Sequence, residues 1–221
     1  MQVHAPIRFG RWREILAMPF PEDRDLYCAT TAMLHYARGL AHAVPGDVPA
    51  AREEQARFEA AAARVPASRT VFNNTCVDIL AIAAQMLEGE VSYRTGDHET
   101  AFRHLRTAVR LSEDLPYDEP WGWMQPPRHA LGALLLEQGR VEEAEAVYRA
   151  DLGLDHTVIR ACRHPENVWS LHGFHECLVR LGKRTEARLV APRLALALAR
   201  TDVPVESSCL CRRGRVAPRR A

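Results

Sequence analysis

The stretch GDHETAFRHLRTAVRL (96–111) is echoed 43 residues later by GRVEEAEAVYRADL (139–152). Each opens on a glycine followed by a charged residue. Each places an alanine five residues on (Ala101, Ala144) and a large side chain four beyond that (Leu105, Tyr148). A sequence that repeats a spacing repeats a structural unit, so the spacing around these glycines decides the fold.

The residues before and after each glycine carry helical period. Val77, Leu80, Ala84, Leu87 and Val91 step by three and four, as do Leu131, Leu134 and Leu135, then Ala144, Val147 and Tyr148. Ala, Leu, Arg and Glu dominate, and no sustained two-residue alternation marks a strand. Four glycines, Gly46, Gly96, Gly139 and Gly182, each close a helix-like run and precede a polar residue. Glycine just past a helix end takes the left-handed backbone at low cost, and Asp47 and Asp97 can cap the helix that follows. The four glycines are therefore read as elbows of helix hairpins. Seven residues before them stand Gly39, Gly89, Gly132 and His175; five after stand Ala51, Ala101, Ala144 and Ala187. Small residues at such places let two helix axes approach closely.

This pattern resembles the tetratricopeptide repeat, most closely in GEVSYRTGDHETAFRHLRTAV and LGALLLEQGRVEEAEAVY. Nearly the whole chain except its end resembles the C-terminal part of a group of longer tetratricopeptide-repeat proteins. The segments that carry this are FGRWREILAMP, LHYARGLA, LEGE, GDHETAFRHLRTAV, LPYDEPWGW, PPRHALGALLLEQGR, EAEAVYRADL and SSCLC. The resemblance implies an all-α right-handed solenoid of helical hairpins and a missing N-terminal half. The expected organisation is a partial leading repeat and linker over 1–21, tetratricopeptide-like repeats over 22–200, and a disordered tail over 201–221 that holds the CLC pair and an Arg-rich end.

The connections MPFPED (18–23), RVPASRT (64–70), LPYDEPWGWMQPPRH (115–129) and LDHTVIRACRHPEN (154–167) are read as links and insertions between repeats. Trp121 and Trp123 in the third either form an aromatic lip or pin the loop onto a neighbouring helix, the second being favoured.

Composition narrows the function. Formal net charge is +1, with five of the 29 basic residues packed into the last ten positions. That balance argues against a dedicated nucleic-acid or membrane surface. No long apolar run and no secretory h-region is present, so a cytoplasmic protein with reduced thiols is expected. No P-loop, dinucleotide fingerprint or G-x-S-x-G occurs.

By the resemblance, the first helix of each hairpin lines a concave groove. Counting from the elbows gives Tyr36 and Leu40; Met86, Glu90 and Tyr93; His129 and Ala133; and Trp169, His172, Glu176 and Val179. Of these, Tyr36, Met86, Glu90, Tyr93, His129, Trp169, His172 and Glu176, together with Trp123, are the expected partner-binding residues of a scaffold that holds a protein or peptide ligand, with no cofactor and no catalytic residue. The competing expectation is a metal- or small-ligand-binding protein, an enzyme included. It would use the groove histidines and acids with the terminal thiols, the metal candidates being His129, His172, Cys209 and Cys211.

Overall fold

The computed structural model describes residues 2–212, and almost all of its regular structure is helical. Two short helices lead, α1 (His4–Arg8) and α2 (Trp12–Ala17). Longer ones follow: α3 (Cys28–Ala43), α4 (Val48–Ala62), α5 (Cys76–Arg94) and α6 (His98–Glu113). The last four are α7 (Pro127–Glu137), α8 (Val141–Asp151), α9 (Val168–Arg180) and α10 (Arg184–Leu198). The all-α class read from the sequence is the class observed.

All four elbow glycines adopt positive φ, from 70° at Gly182 to 106° at Gly46. At each, the amide after the glycine reaches back to a carbonyl in the last helical turn: Asp47 to His42 (3.0 Å), Asp97 to Ser92 (3.0 Å), Arg140 to Leu135 (2.9 Å) and Lys183 to Leu178 (2.9 Å). This six-to-one bond closes the preceding helix and sets the start of the next. Asp47 and Asp97 then cap, accepting from Ala50 N and Thr100 N, as their position after the glycine led one to expect.

The chain divides into two compact units, residues 1–127 and 128–221, where the sequence reading ran one array over 22–200. In the first, α3 packs along α4, α5 packs along α6, and α5 also packs on both α3 and α4. Gly39 and Gly89 make these approaches close. A Cβ on Gly39 would stand 2.8 Å from a Leu87 methyl, and one on Gly89 would stand 2.9 Å from Leu105 Cγ. The core beneath is built from Ile15, Tyr36, Phe58, Ile82 and Leu87, all almost wholly buried. Each such side chain contributes about 1.5–3 kcal/mol of transfer free energy.

One local feature departs from the strand-free expectation. Thr70–Val71 (β1) and Asn74–Thr75 (β2) pair antiparallel, with Phe72 at a φ of 52° in the turn between them. Asp118 anchors this hairpin, accepting from Asn73 N (3.0 Å), Asn73 Nδ2 (3.0 Å) and Asn74 Nδ2 (2.7 Å). The loop over 115–126 is thus tied down at Asp118, and again at Trp123, which is buried edge-on to His4 and Tyr36. Trp121 stays exposed, so the two tryptophans do not share a lip.

In the second unit, α9 packs on both α8 and α10. The Tyr148 ring fills a slot between α7 and α9. A Cβ on Gly132 would lie 2.4 Å from Tyr148 Cζ, and one on Gly173 would lie 2.3 Å from the same atom. The fourth small position is therefore Gly173, not His175 as the fixed seven-residue spacing had it.

The segment 201–212 also differs from the expected tail. Val205, Ser207, Ser208 and Cys211 are buried. Ser208 Oγ lies 2.5 Å from Tyr148 Oη and donates to the His129 carbonyl (2.9 Å), and Arg212 forms two bonds to the Glu176 carboxylate (2.7 and 2.8 Å). Helical period is absent here because the segment is irregular, and it is held by polar anchors instead. The Arg-rich end beyond 212 lies outside the described residues.

Candidate functional site

Of the nine partner-binding residues read from the sequence, five lie inside the protein. Tyr36, Tyr93, Trp123, Glu90 and His129 are each 6 % exposed or less. Tyr93 packs on His98 and Phe102, with ring centroids 4.8 and 6.2 Å away. Glu90 is paired with Arg94 one turn on, at 2.6 Å. Burial, with the Glu90 carboxylate adding to it, pushes the Tyr36 phenol well above its ordinary range. These side chains pack the interior and present no surface to a partner. Met86, Trp169, His172 and Glu176 keep partial exposure. Met86 belongs to the first unit, whereas the other three share one face of α9, where positions three and four apart align.

His129 belongs to a buried cluster that sequence reading missed. Asp151, the last residue of α8, has no exposed surface. Its Oδ2 accepts from Ser170 Oγ (2.6 Å) and Asn167 Nδ2 (3.1 Å) and meets His129 Nε2 (3.1 Å), while Oδ1 meets His164 Nδ1 (2.9 Å). Its backbone carbonyl also accepts from His164 N (2.7 Å). Burial alone would raise this carboxyl; the charge and hydrogen bonds of His129 and His164 outweigh it and hold the group below the ordinary carboxylate range. A carboxylate has about four acceptor positions. With four side-chain partners on it, Asp151 fastens the 154–167 insertion to α7, α8 and α9 and keeps nothing spare for a substrate or metal. The available signal was local: Asn167 followed three residues on by Ser170 is a helix start, and Asn167 caps α9 at 2.8 Å.

The four metal candidates are not brought together. Among the described residues, no three His, Cys, Asp or Glu side chains are grouped to hold an ion. His129 is spent on Asp151, and Cys209 and Cys211 are joined in a disulfide where reduced thiols were expected. Cys28, Cys76, Cys162 and Cys177 are not part of that disulfide.

A concavity lies between α9 and α10. It is lined by His175, Val179, Gly182, Arg184, Ala187, Arg188 and Ala191, and its volume is about 730 Å³. Val179, on the α9 side of the concavity, is 58 % exposed. Val179 continues the α9 face that carries Trp169, His172 and Glu176. Gly182 opens the end of the groove, and Ala187 and Ala191 keep its α10 wall low. The rim is basic, from Arg184 and Arg188. Glu176, the acid on this face, is already bound by Arg212 and lies 3.5 Å from Arg180. An apolar floor with a cationic edge suits a helix or peptide that has an apolar stripe and acidic flanks.

No protein-family model, no curated protein and no solved structure matches this chain. Among the described residues, no helix is long and apolar enough to cross a membrane.

Proposed function

We propose that this chain is a tetratricopeptide-like helical scaffold that captures a protein partner, and that the α9–α10 groove is where the partner docks. Three features support the repeat reading. The hairpins turn on positive-φ glycines. Small residues seat large ones from the packed helix, as Gly89 seats Leu105 and Gly132 seats Tyr148. Finally, α5 packs on both helices of the preceding hairpin, as stacked units do.

The single observation that carries the interaction reading is the groove itself: exposed Val179 over small Ala187 and Ala191, bordered by Arg184 and Arg188. The occupant is an amphipathic segment with acidic residues beside its apolar stripe. A cytoplasmic setting, with Cys28, Cys76, Cys162 and Cys177 as thiols, is part of the same proposal.

The test is a panel of helical peptides with one apolar face and acidic, neutral or basic flanks, titrated against the full chain by fluorescence anisotropy. The acidic peptides should bind in the micromolar range, near −8 kcal/mol at ~1 μM. Val179→Asp should abolish binding, and Arg184→Glu with Arg188→Glu should weaken it by about tenfold or more while increasing the preference for basic flanks. Binding that ignores flank charge, or that survives Val179→Asp, rules the groove out as the docking site.

A further inference from the structure

The first unit holds a small cavity of about 90 Å³ that the scaffold reading leaves unused. Its walls come from four places in the chain: α1, the start and middle of α3, the β-hairpin with the start of α5, and Gly122 of the pinned loop. Most of the lining is apolar, from Ala29, Val71, Ile79 and Leu80. Three side chains on the wall are soft or borderline electron donors: the imidazole of His4, the thioether of Met33 and the thiol of Cys76.

His4 is the unusual member. It is only 6 % exposed, and its buried Nδ1 has no hydrogen-bond partner in the protein. A buried polar atom left so is costly unless something binds it. The ring is also held in place. Trp123 packs edge-on against it at 4.8 Å, and Gln125 Nε2 donates to the His4 carbonyl. Cys76 is a free thiol, 3 % exposed, at the first position of α5, and burial, with Cys28 adding to it, pushes this thiol up, so its proton is one that a metal must displace. Met33 is 8 % exposed.

We propose that this cavity binds one Cu(I) ion through His4 Nδ1, the Met33 sulfur and the Cys76 sulfur. Thioether and thiolate sulfur select Cu(I) among the common cellular metals, and an imidazole completes a three-donor set. Zinc is poorly served here. It takes four ligands from thiolate, imidazole and carboxylate, and only His4 and Cys76 qualify. A set with methionine as its third donor is compatible with the absence, among the described residues, of any cluster of three His, Cys, Asp or Glu. On binding, the Cys76 S–H bond breaks, its proton leaves to solvent, and a sulfur–copper bond forms. Copper stays in the +1 state and no electron moves.

The test is an anaerobic titration of the full chain with Cu(I) against a chromophoric Cu(I) chelator. One equivalent should be withheld from the chelator, and X-ray absorption of that complex should show two sulfur neighbours and one nitrogen. Cys76→Ser, His4→Gln and the near-isosteric Met33→Leu should each lower affinity by more than the ~10–100-fold typical of outer-shell partners. Cys209→Ser with Cys211→Ser should leave the site intact. Far-UV circular dichroism of Met33→Leu separates loss of a ligand from loss of the fold, and the absorption measurement needs no variant. The proposal is overturned if no copper is withheld, if copper is lost with Cys209 and Cys211 but kept in Cys76→Ser, or if Cys28→Ser abolishes binding and Met33→Leu does not.

Discussion

A single aromatic ring shows how tightly this sequence is specified. Tyr148 is fully buried between two glycines, and its hydroxyl is satisfied by Ser208. Adding one methyl at Gly132 or Gly173 forces atoms to 2.4 or 2.3 Å, so the ring must move. Gly132→Ala and Gly173→Ala should each destabilise by about 1–3 kcal/mol, the usual cost of overpacking. Gly139→Ala is the control. Nothing lies within 4 Å of the added methyl, but the φ of 75° remains, so the loss should be about 1–2 kcal/mol and purely backbone in origin. Urea unfolding distinguishes the two origins when Tyr148→Leu is combined with each change: the smaller side chain should relieve the first pair and leave Gly139→Ala unaffected. Gly132 and Tyr148 were legible in the sequence because their spacing repeats that of Gly89 and Leu105. Gly173 was not, because counting back a fixed distance from Gly182 lands on His175, and only the ring's position shows which residue it touches.

At the scale of the element, helices and elbows were readable and the segments between them were not. Glycine at positive φ and aspartate at the cap are local requirements, so local sequence reveals them. The 154–167 insertion instead takes its order from Asp151, which precedes it, and from Ser170, which follows it. Asp151→Asn keeps the shape but removes the charge that two donors and two imidazoles converge on. Stability should fall by about 3 kcal/mol, as for a broken buried pair. Amides from 154 to 167 should exchange faster with solvent than those of α9, which hydrogen exchange read out by mass spectrometry will resolve. Segment 201–212 escaped for the same reason: its order rests on single contacts to Tyr148, His129 and Glu176, none of which leaves a periodic trace. Trp123 is no groove residue: it pins its loop, the alternative that the sequence reading favoured for this pair, and packs on His4 and Tyr36.

Over the whole molecule, depressed carboxyls occur in both units. In the first, burial would raise Glu88, but bonds from Arg52, Gln55 and Ser92 bring it to about 2, and Glu54 is lowered against burial by His35 and Arg57. In the second, Glu145 is lowered against burial by Lys183 and Arg149, alongside Asp151. The unfolded chain takes up protons near pH 4, before these folded carboxyls do. Their stabilisation is therefore full above about pH 5 and is lost as pH falls further. The melting temperature should decline steadily from pH 5 toward pH 2, and Glu88→Gln should flatten that decline. Of the candidate site, Val179 was named from the resemblance and the distance to the elbow, on the α9 face that also carries Trp169, His172 and Glu176, whereas His175 was not. The Arg184 and Arg188 rim was not, because α10 was read only as the partner that closes the hairpin. The double-glycine slot has a last consequence, for inheritance. Positions 132, 148 and 173 cannot drift independently: a lineage that enlarges either glycine must shrink the tyrosine, and one that keeps the tyrosine must keep both glycines. Among descendants of this sequence, those three columns should therefore change together or not at all.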